Sequence, residues 1–164
     1  MEHTIPALVI AAVLVFGGVV MAGVTNSTVD KVGESWRDIE AIAEERLGTE
    51  LAVVSTQVSG SDVSVVLRNR GRTPIADPTL MDVIINYTGT DSTRYVRWLP
   101  YTSGPLADNT WTVASIANDY RNPGMLDNGE EMTLQMRLNP ATAGGPDRWV
   151  VVATETGISY SIYF

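Results

Sequence analysis

The sequence predicts an α+β protein, in which a long N-terminal helix, hydrophobic first and then amphipathic, precedes an all-β sandwich of immunoglobulin-like type with about eight strands. Three observations support this prediction. An uncharged apolar run extends from Ile5 to Val24, apolar residues continue at helical spacing to Leu47, and short alternating segments separated by turn residues fill the rest. We therefore divide the 164 residues into a helix over 1–48 and an outer β-domain over 49–164.

The apolar run has three interpretations. A signal peptide is disfavoured, because residues 1–4 carry no Lys or Arg and the run exceeds the usual apolar length of about 7–15 residues. A transmembrane helix needs about 20 apolar residues, which Ile5 to Val24 supplies. As a single-pass anchor, however, Lys31 and Arg37 would place the β-domain in the cytoplasm.

The third interpretation is a helix that packs against copies of itself. Small residues recur four apart at Ala7 and Ala11 and at Gly18 and Ala22, which lets helix backbones approach closely. The predicted packing residues of such a helical core are Ile5, Leu8, Val9, Ala12, Val13, Phe16, Val19, Val20 and Gly23.

The helical pattern continues beyond the run. Apolar residues recur at steps of three or four with charged residues between them, and Gly48 is a plausible stop. A helix from Pro6 to Leu47 would be roughly 60 Å long. We expect its second half to pack on the β-domain or on neighbouring copies through Val29, Val32, Trp36, Ile39 and Leu47.

The β-domain is predicted from alternating apolar and polar residues, which give each strand one dry and one solvated face. Turn residues separate the segments, and Glu155 to Gly157 marks a terminal hairpin. The predicted strands are 51–58, 62–69, 79–89, 92–101, 111–118, 132–139, 148–154 and 158–164.

Composition and motifs argue against several functional classes. The net charge of −8 disfavours nucleic-acid binding, and the absence of cysteine excludes disulfides and thiolate chemistry. The only histidine, His3, precedes the helix, so a histidine triad in the β-domain is impossible. We expect no enzyme activity, no catalytic residue and no cofactor.

One stretch resembles a weak metal site. LDNGEE places Asp127, Asn128, Glu130 and Glu131 around a glycine, as some calcium-binding turns do. The spacing does not match an EF-hand loop, and a plain turn before a strand explains the stretch fully. We therefore expect no bound metal there.

Two further features concern surfaces. Arg68, Arg70 and Arg72 form a basic cluster, which is either a solvated turn or a set of subunit contacts with an acidic surface of another copy. Two glycosylation sequons start at Asn26 and Asn86, and Asn86 is the better candidate because Asn26 lies in the predicted helix.

This layout resembles the type IV pilin superfamily and, within it, the archaellins, the filament proteins of the archaeal motility organelle. IPALVIAAVLVFGGVVMAG is similar to archaellin N-termini, and VSVVLRNRGRTPI, DVIINY and LDNGEEMTLQMRL are similar to the β-domains of archaellins and of their sandwich-domain accessory proteins. The resemblance implies a structural subunit of an extracellular filament, for motility or adhesion, that polymerises through its N-terminal helix. Its partners would be copies of itself, the membrane before assembly, and the assembly machinery.

The resemblance leaves an alternative and shows two departures. The alternative is a membrane-anchored sandwich-domain accessory protein, resembling the stator-like proteins of the archaellum or of a pilus machine. Family precursors carry a short basic leader that is absent here, so Met1 is either the mature N-terminus or a true start. Ile5 stands where bacterial pilins carry an acidic residue, which favours archaellins over bacterial pilins.

Overall fold

The computed structural model describes residues 37, 39–44 and 46–164. Residues 37, 39–44 and 46–48 are helical, and the helix ends at Gly48, as predicted. Glu44–Phe164 form one compact unit, and the described residues up to Ala43 belong to another. None of the helical segments in this described range is both long and apolar enough to cross a bilayer. The rest of the predicted long helix lies outside the described residues and stays a prediction.

The β-domain is a sandwich of two four-stranded antiparallel sheets. One sheet has the strand order β1-β2-β6-β5 and the other has the order β4-β3-β7-β8. The strands are β1 (Leu51–Ser59), β2 (Asp62–Asn69), β3 (Asp82–Thr88), β4 (Arg94–Leu99), β5 (Thr110–Ala117), β6 (Glu131–Arg137), β7 (Trp149–Ala153) and β8 (Ser159–Tyr163).

The strand order is that of an immunoglobulin-type sandwich. Consecutive strands pair as β1–β2, β3–β4, β5–β6 and β7–β8, while β2 pairs with β6 and β3 pairs with β7 in the middle of the two sheets. Labelled A to G in the usual way, with an added C′ strand, the sheets read A-B-E-D and C′-C-F-G. The predicted immunoglobulin-like sandwich of about eight strands is therefore confirmed.

The core lies between the sheets and follows the alternation in the sequence. In β2, Val63, Val65 and Leu67 are buried, while the residues between them face away from the core. The same period of two buries the inward residues of β3, β6 and β7. Trp111 closes one side of the core and packs edge-on against Tyr101, with ring centroids 5.0 Å apart.

The strands differ from the prediction mainly at their ends. Pro78–Leu80 is a 3₁₀ turn rather than the start of β3, because the Asp77 side chain accepts a hydrogen bond from the backbone N–H of Thr79 at 3.0 Å. β4 begins at Arg94 because Asp91 accepts a hydrogen bond from the backbone N–H of Thr93 at 3.0 Å and so forms a local turn.

Candidate functional site

Several backbone hydrogen bonds converge where the helix ends and β1 begins. The carbonyl oxygen of Gly48 accepts hydrogen bonds from the N–H groups of Arg72 at 2.7 Å and Thr73 at 3.1 Å. The carbonyl oxygen of Glu50 accepts two more, from Arg70 at 2.8 Å and Gly71 at 3.1 Å. The turn after β2 thus holds the last helical residue and the start of β1 through four backbone hydrogen bonds.

This contact requires a glycine in the turn. A Cβ atom at Gly71 would lie 2.2 Å from the carbonyl oxygen of Gly48 and 2.5 Å from the backbone nitrogen of Glu50. Both neighbouring atoms belong to the backbone, so no side-chain rotation would relieve the overlap. The glycine in RNRGR is therefore explained by close approach of two backbone segments.

Asn69, the last residue of β2, organises the turn from inside. Its side chain is fully buried. The side-chain amide nitrogen donates to the carbonyl oxygens of Thr73 and Leu126, both at 2.9 Å, and its oxygen accepts from the N–H of Gly71 at 2.9 Å. A buried amide with three partners is well satisfied and fixes the position of each of them.

The LDNGEE stretch is the third part of this region. Asn128 donates from its side chain to the carbonyl oxygen of Gly71 at 2.6 Å, and the N–H of Gly129 donates to the carbonyl oxygen of Asn69 at 2.7 Å. Glu130 closes its own turn by accepting from the N–H of Asp127 at 2.9 Å. We call residues 48–50, 69–73 and 126–130 together the junction.

The carboxylates of LDNGEE have protein partners. Asp127 accepts two hydrogen bonds from the side chain of Asn122, at 2.9 and 3.1 Å. Glu131 accepts from Arg68 across the sheet. Across residues 37, 39–44 and 46–164, no three acidic or histidine side chains come together as a set of metal ligands. The turn interpretation of this stretch accounts for all of these contacts.

The structure separates the three arginines of the predicted subunit-contact cluster. Arg68 lies on β2 and pairs with Glu131 on β6, its Nε donating at 2.9 Å. Arg70 and Arg72 use their backbone N–H groups at the junction, while their side chains are exposed. The structure therefore gives Arg68 a partner in its own chain, and a role of all three in subunit contacts stays a prediction.

The outward face of the β1-β2-β6-β5 sheet carries two solvated ion pairs. Asp62 and Arg137 form a two-bond ion pair at 2.8 and 3.0 Å at one end of the β2–β6 ladder, and Arg68 pairs with Glu131 at the other end. The hydrogen bond from Arg137 holds the pKa of Asp62 below its usual range, because it stabilises the ionised carboxylate. Both pairs are partly exposed and contribute little to stability.

The structure buries Asn86, the better of the two glycosylation candidates predicted from the sequence. Its side chain is fully buried in β3, where its oxygen accepts a hydrogen bond from Nε of Arg94 at 3.0 Å. The side-chain nitrogen, to which a glycan would be attached, is buried and has no hydrogen-bond partner. Asn86 is therefore inaccessible to glycosylation in the folded domain, and Asn26 lies outside the described residues.

Most of the predicted helix-packing residues also lie outside the described residues. This holds for the core set Ile5, Leu8, Val9, Ala12, Val13, Phe16, Val19, Val20 and Gly23, and for Val29, Val32 and Trp36. Of the two that are described, Ile39 is exposed, and Leu47 is 87% exposed. Leu47 does not pack on the sandwich, so its packing against a neighbouring copy stays a prediction.

The residues that matter most at the junction were not singled out from the sequence. Asn69 and Gly71 stand between the three arginines of RNRGR, and the prediction for this stretch rests on the arginine charges. The useful signal was the Asn-x-Gly spacing at the end of a strand, which is typical of a turn that an asparagine side chain stabilises.

No protein-family model matches the chain, and no curated protein matches it. Solved structures of other proteins are similar to it. The periplasmic archaellum stator protein FlaG from Sulfolobus acidocaldarius is similar over 71% of this chain and 99% of its own, with 19% identity and a TM-score of 0.54. The complex of FlaF and FlaG from the same organism matches over 71% of this chain and 89% of its own, with 21% identity and a TM-score of 0.56.

A third similar structure is the archaeal flagellin FlaB1 from Methanocaldococcus jannaschii. It covers 71% of this chain and 88% of its own, with 15% identity and a TM-score of 0.48. At these identities the likeness to FlaG and to the FlaF–FlaG complex establishes the fold alone, which is a sandwich of the kind found in those two stator structures.

Proposed function

We propose that the chain is a structural, non-enzymatic component of an archaellum-type machine in the cell envelope, with a role similar to that of a stator protein. The observation that carries this proposal is the similarity of the sandwich to FlaG and to the FlaF–FlaG complex, with TM-scores of 0.54 and 0.56. The similarity includes 99% of the FlaG chain, so it covers a whole domain rather than a shared hairpin.

The chemistry of the described residues supports a structural role. Asn69, Asn128 and Glu130 all serve to hold loops together at the junction. The chain's single histidine, His3, precedes the described residues, and there is no cysteine. The usual general bases and nucleophiles other than carboxylates and hydroxyls are therefore missing from the β-domain.

A stator resists force, and the junction is suited to transmit it. A pull on the end of the helix acts on the carbonyl oxygen of Gly48, whose two hydrogen bonds lead to the turn after β2. Asn69 continues the connection into β2, a central strand of its sheet. Because β2 is hydrogen-bonded on both sides, the load spreads over three strands rather than onto one edge.

A second candidate function is a filament subunit of archaellin type. The apolar run from Ile5 to Val24 favours it, because small residues such as Gly18 and Ala22 suit close packing of helices. In that role the run would move from lipid into a helical core formed with other copies. Burial of its apolar surface, at about 25 cal/mol per Å², would hold the filament together.

Location and copy number separate the two candidates. Surface filaments are sheared from cells, and the chain is quantified by mass spectrometry in the filament and membrane fractions against the most abundant filament protein. A stator-like protein is expected in the membrane fraction at a few copies per machine and is missing from sheared filaments. A filament subunit is expected as the major filament band. If the chain is found with neither the filament nor the basal machine, both candidate functions are wrong.

A charge inside the apolar run gives an independent test of the filament candidate. Val13→Asp is expected to abolish filaments while the β-domain stays folded, because a carboxylate in a helical core is strongly unfavourable. Val54→Asp is the matched control, since Val54 is partly exposed on the edge strand β1. Intact filaments carrying Val13→Asp would contradict the filament candidate.

A further inference from the structure

The two outward faces of the sandwich are opposite in character. On the β2–β6 ladder three of the four outward pairs are polar, namely Ser64 opposite Gln135 and an ion pair at each end, and the fourth is Val66 opposite Thr133. The outward face of the β4-β3-β7-β8 sheet is apolar and aromatic. We call it the aromatic face and define it by Ile84, Val96, Trp98, Trp149, Val151 and Tyr163.

The strand register gathers these residues into two adjacent rows. In one row Trp98 lies opposite Ile84, which lies opposite Val151. In the next row Val96, Asn86, Trp149 and Tyr163 follow one another across the four strands. The apolar residues are therefore neighbours within these rows, which also contain Ser161 at the β8 end of the first row and the fully buried Asn86 in the second.

Much of this face is open to solvent. Val96 is 63% exposed, Trp98 58% and Tyr163 70%. With aromatic side chains of about 150–250 Å² each, the exposed parts of Trp98 and Tyr163 alone amount to roughly 200–300 Å². A contiguous apolar patch of a few hundred Å² typically marks an interaction site.

The charges at the ends of this face indicate what covers it. Within residues 82–163, which the structure describes in full, the charged residues at outward paired positions of this sheet are Asp82 and Arg94. Asp82 lies one row beyond Ile84, and Arg94 lies one row beyond Val96 at the opposite end. One end of the face therefore carries the negative charge of Asp82, which accepts a hydrogen bond from Nε1 of Trp98 at 2.9 Å, and the other end carries the positive charge of Arg94, whose Nε donates to Asn86 at 3.0 Å.

Such a face is complementary to a second copy of itself turned end for end. A two-fold axis parallel to the sheet and perpendicular to the strands places the Asp82 end of one copy against the Arg94 end of the other. The same rotation sets the row of Trp98 against the row of Trp149, so the apolar rows cover each other. A two-fold contact makes each favourable pair twice, which is why self-complementary patches form dimers.

We propose that the aromatic face is the interface of a two-fold dimer of this chain, with Asp82 of each copy facing Arg94 of the other. The proposal rests on the sandwich surface and does not depend on a stator or filament role. It goes beyond the helix-mediated assembly that the apolar run suggests, because it joins the outer domains through a defined face and in an antiparallel orientation.

Cysteine crosslinking tests this orientation, since the chain has no cysteine of its own. Two full-length variants, Asp82→Cys and Arg94→Cys, are prepared in detergent and treated with a bis-maleimide of about 8 Å span, because facing sheets lie about 10 Å apart. Each variant carries a single cysteine, so every crosslink that forms joins two chains.

The expected result is a crosslinked dimer when the two variants are mixed and little crosslinking when either is treated alone. Ser64→Cys, on the polar outward face, is the control for contacts made through the apolar N-terminal run. Equal crosslinking of a single variant with itself, or equal crosslinking through Ser64→Cys, would overturn the proposal. The proposal also fails if the mixture gives no dimer or if, in cells, these positions crosslink only to a different protein.

A second measurement tests the apolar rows. Trp98→Lys in both crosslinking variants is expected to lower the dimer yield by about tenfold or more, because it replaces a large exposed aromatic side chain, of the kind that carries much of the binding energy of interfaces, with a charged one. Circular dichroism checks that the sandwich stays folded. An unchanged yield with Trp98→Lys would show that the aromatic face is not the interface.

Discussion

Gly71→Ala is the sharpest test of the junction. The added Cβ would lie 2.2 Å from the carbonyl oxygen of Gly48 and 2.5 Å from the backbone nitrogen of Glu50. To relieve this overlap the turn must move away from the end of the helix and the start of β1. The movement lengthens or breaks the backbone hydrogen bonds that Gly48 and Glu50 accept, which measure 2.7–3.1 Å.

The magnitude follows from those bonds. Each contributes about 0.5–1.5 kcal/mol, so losing two to four of them lowers the free energy of unfolding by about 1–6 kcal/mol. Urea unfolding of the full chain in detergent, followed by tryptophan fluorescence, measures the loss, because Trp111 is buried in the core. Hydrogen exchange of the amides at positions 70–73 is expected to accelerate, which locates the effect at the junction.

The matched control is the same substitution in an open place. A Cβ atom at Gly144 would meet nothing within 4 Å. Gly144→Ala is therefore expected to leave the stability unchanged or to raise it by up to about 1 kcal/mol, since alanine restricts the unfolded chain. If Gly71→Ala and Gly144→Ala unfold at the same urea concentration, the backbone approach at the junction is not as tight as described, and the reasoning fails.

Three further predictions follow from the sandwich. Asp62→Asn is expected to weaken the protein by roughly 0.2–1 kcal/mol above about pH 4 and to flatten the fall in stability below it. The sign follows because Arg137 lowers the pKa of Asp62 in the folded state, so the stabilisation is present at higher pH and is lost as the carboxylate is protonated. An identical pH profile in the variant would contradict it. Leu134→Ala should cost about 2–5 kcal/mol in urea unfolding, whereas Leu80→Ala, at an exposed site, should cost less than about 0.5 kcal/mol; equal costs would refute the assigned core. Peptide mass spectrometry of protein from its native cells should find Asn86 unmodified, and a glycan there would show that β3 is open when the chain is modified.

Much of the fold could be predicted because the side of a strand on which a residue lies depends only on the local sequence. The alternation of Val63, Val65 and Leu67 places all three on one face of a strand whatever that strand pairs with. In most places the turn residues predict the ends of the strands to within about two residues. Local hydrogen bonds of Asp77 and Asp91 account for the two ends that differ most.

The junction could be predicted only in part. Gly48 was expected to end the helix, and it does. That its carbonyl oxygen would be held by the turn after β2 was not predictable, because the contact joins residues more than twenty positions apart and depends on how β1 and β2 pair. Asn69 illustrates the same limit, since its partner Leu126 is brought close only by the pairing of β2 with β6.

The sequence by itself determined the class of the domain, the strands, their inward residues and the turn chemistry, because these follow from the backbone period and from local hydrogen bonding. Only the tertiary structure decided which strands pair in the middle of the two sheets. That pairing in turn decides which side chains are paired, buried or exposed. It paired Arg68 with Glu131, buried Asn86 and left Trp98 exposed. The physical reason is that cross-strand partners are fixed by the register of strands far apart in sequence, and no local pattern carries that information.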